Sequence, residues 1–390
     1  METRRTEVRQ LTAQDAAAAS ANEDGSLRRV LRPPLHSLTS TRFFAAFYVV
    51  LYHFASRPAQ QAGLPASVVR FLSNGYMGVS FFFILSGFIL SYSYLGQLRL
   101  GGEKRRFWEA RFSRVYPVYL LSLLIDWPFR GQMTVYASLA VLTGTQTWNP
   151  TKVYLAQAWN FPAWTLSVEA LFYLSFPLLL PVCARLRRRS QIVCIGILCF
   201  AVALLHSSIP IERLDPAEAA ILYRIPLPLL RLPEFVLGIL IALRLIDTPQ
   251  KSNSLRIGFY LLACLVILFI FDGPWLSLVT LSYLGLIYEL GIDNGWFAKV
   301  LSWRPLIFLG GASYSIYLLQ YPIRNWVRLL CEKVLHAPYI VGSLLSPPLL
   351  IFISCLVFQF YEEPGRRTLK RLFAAMEFRR QALRQGRRVT

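Results

Sequence analysis

Long apolar runs separated by short basic stretches make up most of the chain. Each run approaches the length of about 20 residues that a helix needs to cross a bilayer. Ten runs occur, near residues 38–56, 75–96, 112–129, 164–183, 191–209, 226–246, 255–271, 274–290, 304–323 and 339–361. This pattern predicts an all-α, polytopic membrane protein with about ten transmembrane helices.

An eleventh apolar stretch, residues 133–146, is short and contains several hydroxyl side chains. Basic residues usually lie in cytoplasmic loops of membrane proteins. Here they cluster in the N-terminal tail, at 99–114, 185–189, 244–256 and 299–304, and from Arg366 onward. If every cluster is cytoplasmic, residues 133–146 cross twice or not at all. We therefore expect a re-entrant or interfacial segment there, with both termini in the cytoplasm.

The same charge pattern divides the chain into three parts. Residues 1–36 are polar and arginine-containing, and are predicted to form a disordered, basic cytoplasmic N-tail. Residues 37–364 form the predicted membrane domain. Residues 365–390 form a basic cytoplasmic C-tail, which we expect to be amphipathic and to lie at the membrane surface.

Composition agrees with a membrane protein. The 390 residues are 55% hydrophobic and 16% charged, with a net charge of +20. No basic soluble module stands apart from the apolar runs, so we attribute the charge to membrane lipids and cytoplasmic loops rather than to nucleic acid. The six cysteines form no C-x-x-C pair, and neither a metal site nor a disulfide framework is expected.

His53 is the most informative polar residue, because it lies inside the first apolar run. An ionisable side chain within a membrane segment is costly and usually functional. Arg42 precedes it by eleven residues, which is about three helical turns, so both residues lie on one face about 16 Å apart. That face carries a cation near one membrane surface and a candidate general base deeper inside.

Ser86 and Gly87 lie near the middle of the second run. Small residues at this depth allow either a neighbouring helix or a slender ligand to come close. The sequence alone leaves both interpretations open.

Arg111 and Arg114 are three residues apart where the third run begins, so they are neighbours on a helix. Two guanidinium groups so placed can bind phosphates bidentately. The alternative is that they only anchor the helix on the cytoplasmic side.

Glu169 lies one to two turns into the fourth run and shares a helix face with Thr165 and Tyr173. A carboxylate at this depth needs a partner. His53 is one candidate partner, since both lie towards the outer half of the membrane in the predicted topology. A purely structural hydrogen bond is the alternative.

Three further charged residues are weaker signals. Arg231 and Glu234 are spaced to pair along a helix. Glu363, at the end of the last run, is either an interfacial carboxylate or a partner for a buried arginine.

Taken together, these motifs resemble the acyltransferase-3 family, integral-membrane enzymes that O-acylate polysaccharides and related envelope acceptors. The resemblance extends over about residues 37–364 in family order. Its motifs are Arg42-x10-His53, Gly78-Val-x-x-Phe82-Phe83 with Ser86-Gly87-Phe88, Arg111-x-x-Arg114, Pro162-x-Trp164-x-Leu-Ser-x-Glu169, Arg231…Phe235…Gly238 and Ser313-Tyr-Ser-Ile-Tyr317-Leu. Two positions depart from the family pattern: Gln320 stands where a histidine is usual, and Ser80 where an acidic residue is common.

The resemblance implies an O-acyltransferase that moves an acyl group, here expected to be acetyl, from cytoplasmic acyl-CoA to an envelope hydroxyl. His53 would act as general base or transient acyl carrier, with Glu169 orienting it. The residues expected to bind the donor are Arg42, Arg111, Arg114, Ser86 and Gly87. Those expected to bind substrate are Trp164, Tyr173, Tyr317 and Gln320.

The resemblance also implies an acceptor and a location. The acceptor would be a sugar, a polysaccharide or a lipid-linked oligosaccharide, and the protein would lie in the bacterial inner membrane beside other envelope-biosynthesis proteins. Two other functions remain open. A transporter or flippase predicts internal repeats and paired broken helices, and neither is visible. A catalytically inactive membrane scaffold would tolerate the loss of His53.

Overall fold

The computed structural model describes residues 33–98, 101–186, 189–207, 225–247, 252–292 and 295–386. These residues form helices and connecting turns, with no strand among them, which confirms the all-α prediction. Residues 1–32, most of the predicted N-tail, lie outside the described residues, as do residues 387–390. The disorder of the N-tail and the cytoplasmic position of both tails stay predictions, whereas most of the C-tail is helical, in Glu363–Gly386.

Fourteen α-helices occur in the described part of the chain. They are α1 His36–Gln61, α2 Ala66–Ser73, α3 Gly78–Tyr94, α4 Gly101–Asp126, α5 Val135–Leu142, α6 Trp164–Ala184, α7 Arg189–Ser207, α8 Leu227–Asp247, α9 Ser254–Ile270, α10 Val279–Ile292, α11 Trp296–Leu301, α12 Arg304–Leu329, α13 Tyr339–Val357 and α14 Glu363–Gly386.

Short turns of tighter or wider helix connect several of these elements. Proline occupies the first turn of four 3₁₀ segments, where its missing N–H costs nothing. The 3₁₀ segments are Asn74–Met77, Trp127–Phe129, Pro150–Gln157, Phe161–Ala163 and Gly273–Leu278, and the π-helical turns are Leu330–Val334 and Phe358–Glu362.

Each of the ten predicted runs coincides with a helix. Five described segments are long and apolar enough to cross a membrane: Ala66–Tyr94, Phe161–Ala184, Gly273–Ile292, Arg304–Val334 and Ile340–Arg380. Two shorter apolar helices, Arg189–Ala203 and Ser254–Ile270, match two more runs. The remaining three runs lie in α1, α4 and α8, which carry charged side chains. Ten crossings and the side on which the termini lie therefore stay predictions.

The doubtful stretch at residues 133–146 contains the eight-residue helix α5. Thr134 caps it, because its hydroxyl accepts a hydrogen bond from the Ala137 N–H at 3.1 Å. Eight residues of helix extend only about 12 Å, so α5 is too short to cross a bilayer. This length agrees with a re-entrant or interfacial segment.

Close helix contacts hold the membrane domain together, and glycines make them possible. A Cβ added to Gly87 would collide with the carbonyl oxygen of Phe235, and one added to Gly238 would collide with that of Ile84. The backbones of α3 and α8 therefore touch directly. Gly310 allows α12 the same close approach to α1 at the Thr39 carbonyl.

A buried arginine, paired with a glutamate on its own helix, also links α8 to α3 through a hydrogen bond. Arg231 Nε lies 3.0 Å from Glu234 Oε2, and Arg231 Nη2 donates a hydrogen bond to Ser80 Oγ at 3.1 Å. The pairing predicted from the spacing of Arg231 and Glu234 is thus confirmed. The hydrogen bond to Ser80 holds the two helices together.

Candidate active site

Five helices, α1, α3, α4, α6 and α12, surround a cavity of about 190 Å³. Four charged residues line it: Arg42, Arg111, Arg114 and Glu169. Three guanidinium groups therefore face one carboxylate. This excess of positive charge in a space walled by apolar helices suits an anionic ligand.

Helix α4 brings Arg111 and Arg114 to the cavity on successive turns. The Arg111 guanidinium lies 5.8 Å from the ring centroid of Tyr94 and 5.9 Å from that of Phe107, at distances typical of cation–π contact. Across the cavity, the Tyr314 hydroxyl donates a hydrogen bond to the Val115 carbonyl at 2.8 Å. That bond fixes α12 against α4 beside the two arginines.

Glu169 faces the arginines of the cavity. Its Oε2 accepts a hydrogen bond from the Tyr173 hydroxyl at 2.8 Å, and its charge interacts with Arg42, Arg114 and Arg111. The Trp108 indole holds α6 in place by donating to the Tyr173 carbonyl at 2.9 Å. Glu169 is therefore a counter-ion that orders the cation cluster.

A second carboxylate, Glu362, also interacts with these arginines. It is only 3% exposed, accepts a hydrogen bond from Ser315 Oγ at 2.6 Å and interacts with Arg114 and Arg42. The sequence pointed instead to its neighbour Glu363, which pairs with Arg366 at 2.9 Å. Both carboxylates follow the same run, and Glu362, in the π-helical turn, is the one that faces inward.

His53 lies in a separate aromatic cluster. Its ring centroid is 5.2 Å from that of Tyr321 and 5.9 Å from that of Phe161. The Tyr321 hydroxyl lies 3.4 Å from His53 Nδ1, and the two flanking rings stack on each other at 5.1 Å. The charge that acts on this cluster is that of Arg324, whose guanidinium lies 5.4 Å from the Tyr321 ring.

A family model described as an acyltransferase domain matches residues 35–360 of the chain. These residues include all five helices around the cavity and the aromatic cluster of His53. The chain belongs to the acyltransferase-3 family. Its family membership agrees with the motifs and with the set of helices described above.

Several curated proteins are similar in sequence. The acyltransferase MdmB of Streptomyces mycarofaciens is 32% identical over 239 residues, covering 55% of this chain and 58% of the relative. The O-acetyltransferase OatA of Staphylococcus aureus (strain NCTC 8325 / PS 47) is 24% identical over 379 residues, covering 87% of this chain and 58% of the relative. The chain thus spans less than two thirds of the length of these relatives. No solved structure matches it.

Seven of the residues predicted for the site line the cavity, namely Arg42, Ser86, Arg111, Arg114, Glu169, Tyr173 and Tyr317. Four predicted residues lie elsewhere. Gly87 faces α8, as described above, and Trp164 packs edge-on against Phe83 with ring centroids 6.3 Å apart. Gln320 is fully buried and donates to the Tyr317 carbonyl at 2.8 Å. His53 is the fourth.

His53 and Glu169 do not contact each other in the structure, although the predicted topology puts them at similar depth. Arg42 and His53 lie on the continuous helix α1, eleven residues and hence about 16 Å apart, and Glu169 interacts with the Arg42 end. Within the described residues, no hydrogen bond or ring contact joins His53 to Glu169. The imidazole instead contacts two tyrosines, Tyr321 through its hydroxyl and Tyr52 through its ring, whose centroid is 4.8 Å away.

Four residues that line the cavity or contact its neighbours were not predicted from the sequence. Tyr314 and Ser313 line the cavity, and they belong to a motif already recognised, so that motif was the available signal. Tyr321 and Glu362 had none, because their positions depend on how separate helices are rotated against each other. Among the described residues, no cluster of three or more His, Cys, Asp or Glu side chains is placed to hold a metal ion.

Proposed function

We propose that the protein is an integral-membrane O-acyltransferase that moves an acyl group, acetyl in the first instance, from acyl-CoA to a hydroxyl of an envelope sugar. The observation that carries this proposal is the cavity in which three arginines face one glutamate inside the membrane domain. The family and the relatives named O-acetyltransferases support the same reaction. A lipid-linked oligosaccharide and a polysaccharide are acceptors of the same chemistry.

In this proposal the cavity binds the phosphates of the donor. Guanidinium groups form paired hydrogen bonds with phosphate oxygens, and Arg42, Arg111 and Arg114 come from two helices to do so. A volume of about 190 Å³ is below the 300–1,000 Å³ of common small-molecule pockets. It therefore suits one part of an elongated donor, whose pantetheine arm extends past Ser86.

The thioester would then reach His53. Arg42 and His53 are about 16 Å apart along α1, and an extended pantetheine arm is of comparable length. The imidazole takes the proton of the acceptor hydroxyl, the oxygen attacks the thioester carbonyl, and the C–S bond breaks. CoA leaves as a thiolate that takes up a proton. General-base catalysis of this kind contributes about 10²–10⁴-fold in rate.

An alternative route to the same product uses His53 as an acyl carrier. The imidazole would attack the thioester carbonyl, and the C–S bond would break with CoA leaving as a thiolate. The acceptor hydroxyl would then take the acyl group from the ring nitrogen, and its proton would go to the imidazole or to water. In either route the Tyr321 hydroxyl would accept a hydrogen bond from Nδ1–H, because that tautomer leaves the lone pair of Nε2 to react. The stacked rings of Phe161 and Tyr321 beside it offer an apolar face to the acceptor sugar.

The proposed reaction joins the two sides of a membrane. We propose ten crossings with both termini in the cytoplasm, in the bacterial inner membrane, and the distribution of basic residues supports this topology. The donor would enter from the cytoplasm at the arginine cluster. The acceptor, delivered by other envelope-biosynthesis proteins, would meet the acyl group near His53.

The test follows label from radioactive acetyl-CoA in inside-out membrane vesicles. Wild-type protein is compared with His53→Asn and with a matched control, His336→Asn. His336 is exposed and has a positive φ of 48°, which asparagine tolerates. We expect envelope sugar to be labelled by wild type and control, and not by His53→Asn.

Each result decides a different part of the proposal. Equal labelling by all three proteins would remove His53 from the mechanism. No labelling by any of them would remove acetyl-CoA as donor and favour a transporter.

A further inference from the structure

The C-terminal helix α14 is docked on α4, the helix that carries Arg111 and Arg114. Arg106 Nη2 lies 2.9 Å from Glu377 Oε1, and the rings of Phe112 and Phe373 pack edge-on with centroids 6.4 Å apart. These two contacts are four residues apart on α14, so they lie on one face. These contacts hold α14 against the part of α4 that carries Arg111 and Arg114, at one end of the cavity.

The first turns of α14 add positive charge to a region that is already cationic. Arg366 interacts repulsively with Arg114 and Arg111. Lys370, one turn later, interacts repulsively with Arg366, Arg111 and Arg114.

The nearby carboxylates do not balance these charges. Arg366 and Lys370 add two cations to Arg111 and Arg114, whereas three carboxylates interact with these four groups, and two of the three also interact with Arg42: Glu169, Glu362 and Glu363. Glu363 is shared further, because Arg367 Nε lies 3.8 Å from it. Crowding of like charges is unfavourable unless an anion is bound among them. This cluster of four cations therefore has the character of an anion site.

The direction of the donor determines which anion belongs there. If the thioester extends towards His53, the nucleotide must lie at the opposite end of the cavity, where α14 is docked. The nucleotide of CoA carries a diphosphate and, separately, a 3′-phosphate on its ribose. The 3′-phosphate is therefore at the end of the molecule opposite the thioester. Two separate anionic groups require two groups of cations.

We propose that Arg366 and Lys370 on α14 bind the 3′-phosphate of the CoA donor, while the arginines of the cavity bind its diphosphate. This inference rests on the proposed function, because it assumes a CoA donor. It makes α14 part of the donor site and makes the 3′-phosphate a determinant of specificity. A phospholipid headgroup at the membrane surface carries the same chemistry and is the competing source of a phosphate.

The test measures binding of free CoA and of 3′-dephospho-CoA to the full-length protein, purified in a neutral detergent without phospholipid. The variant is Arg366→Gln/Lys370→Gln. The control is Arg371→Gln/Arg379→Gln, which removes the same charge from exposed positions of the same helix. Glutamine maintains helix propensity in both. The readout is the ratio of the two dissociation constants, which a general loss of folding does not change selectively.

We expect wild type and control to bind CoA at least about tenfold more tightly than 3′-dephospho-CoA, as charge-assisted hydrogen bonds produce. In the Arg366→Gln/Lys370→Gln variant this preference should nearly disappear, with the affinity for 3′-dephospho-CoA unchanged.

Two results would overturn this inference and leave the proposed donor in place. One is that wild-type protein binds CoA and 3′-dephospho-CoA equally tightly. The other is that the Arg366→Gln/Lys370→Gln variant loses the same factor in affinity for both. A wild-type protein that binds neither nucleotide would instead overturn the proposed donor. If the charge loss on α14 matters only after anionic phospholipid is added, the cluster binds lipid headgroups, and the inference is wrong.

Discussion

Arg42 interacts electrostatically with carboxylates from two different elements, Glu169 on α6 and Glu362 after α13. Its side chain also lines the cavity with Arg111 and Arg114. A planar guanidinium group loses less conformational entropy per hydrogen bond than the flexible side chain of a lysine does. The position of Arg42 leads to a prediction about donor affinity.

Replacing Arg42 with glutamine should weaken CoA binding by about ten- to a hundredfold, the range expected for losing a charge-assisted hydrogen bond. Isothermal titration of purified protein measures this change. Arg57→Gln is the matched control, because Arg57 is an exposed arginine in the last turns of the same helix. An equal effect of both substitutions would mean that the net charge of α1, and not Arg42, attracts the donor.

Glu362 and Glu363, neighbours between α13 and α14, should contribute differently to the free energy of unfolding. Glu362→Ala leaves the buried Ser315 hydroxyl without its acceptor and removes one of the two carboxylates that interact with Arg42 and Arg114, so we expect a loss of about 1–3 kcal/mol. Glu363→Ala removes a more exposed ion pair, and such pairs contribute about 0–1 kcal/mol. Thermal unfolding in detergent should therefore show a clearly lower Tm for Glu362→Ala only. The reverse order would contradict the inward position of Glu362.

At the scale of the element, the contact between α3 and α8 supports the whole site. Helix α3 carries Ser86 on its cavity face and Gly87 on the face against α8. Both residues are predicted to bind the acyl-CoA donor, yet they face different surroundings. Gly87 acts through packing, because only a residue without a Cβ lets the two backbones touch.

Gly87→Ala should destabilise the protein, because the added methyl group meets the rigid backbone carbonyl of Phe235. Overpacking in a tight core costs about 1–3 kcal/mol. Gly258→Ala is the control, since a Cβ at that position of α9 meets nothing within 4 Å. The folded yield after detergent extraction, followed by size-exclusion chromatography, should fall for Gly87→Ala alone. Equal yields would show that α3 can move away from α8 without loss.

For the whole molecule, the proposed reaction across the membrane depends on the topology of the helices. Five described segments satisfy the length and apolarity needed to cross. The charges that make other helices less apolar include Arg42 and Arg114, which point into the protein and away from lipid. Polar residues inside a bundle are common at functional sites. A count based on apolarity alone therefore misses any crossing helix that carries such residues.

We predict that reporter fusions will place the C-terminus in the cytoplasm and the connection between α5 and α6 outside. A fluorescent protein fused after Thr390 should fluoresce. Alkaline phosphatase inserted after Thr151 should be active, and the same enzyme inserted after Glu103 should be inactive. Activity at both insertion sites would rule out the proposed order of crossings.

The helices, the family and the pairs within one helix follow from the amino-acid sequence. The apolar runs predicted ten segments that are helical in the structure, because each must satisfy its backbone hydrogen bonds within itself. Arg231 and Glu234 paired as their spacing required. Within one helix, the period of 3.6 residues is enough to place neighbours.

The contacts between polar groups of different helices depend on the tertiary structure. It placed Glu169 with the arginines and not with His53, turned Glu362 inward instead of Glu363, and directed Gly87 towards α8. Each of these outcomes depends on the rotation and depth of one helix relative to another. Those quantities are set by the packing of many side chains at once, so no spacing within a single segment contains them.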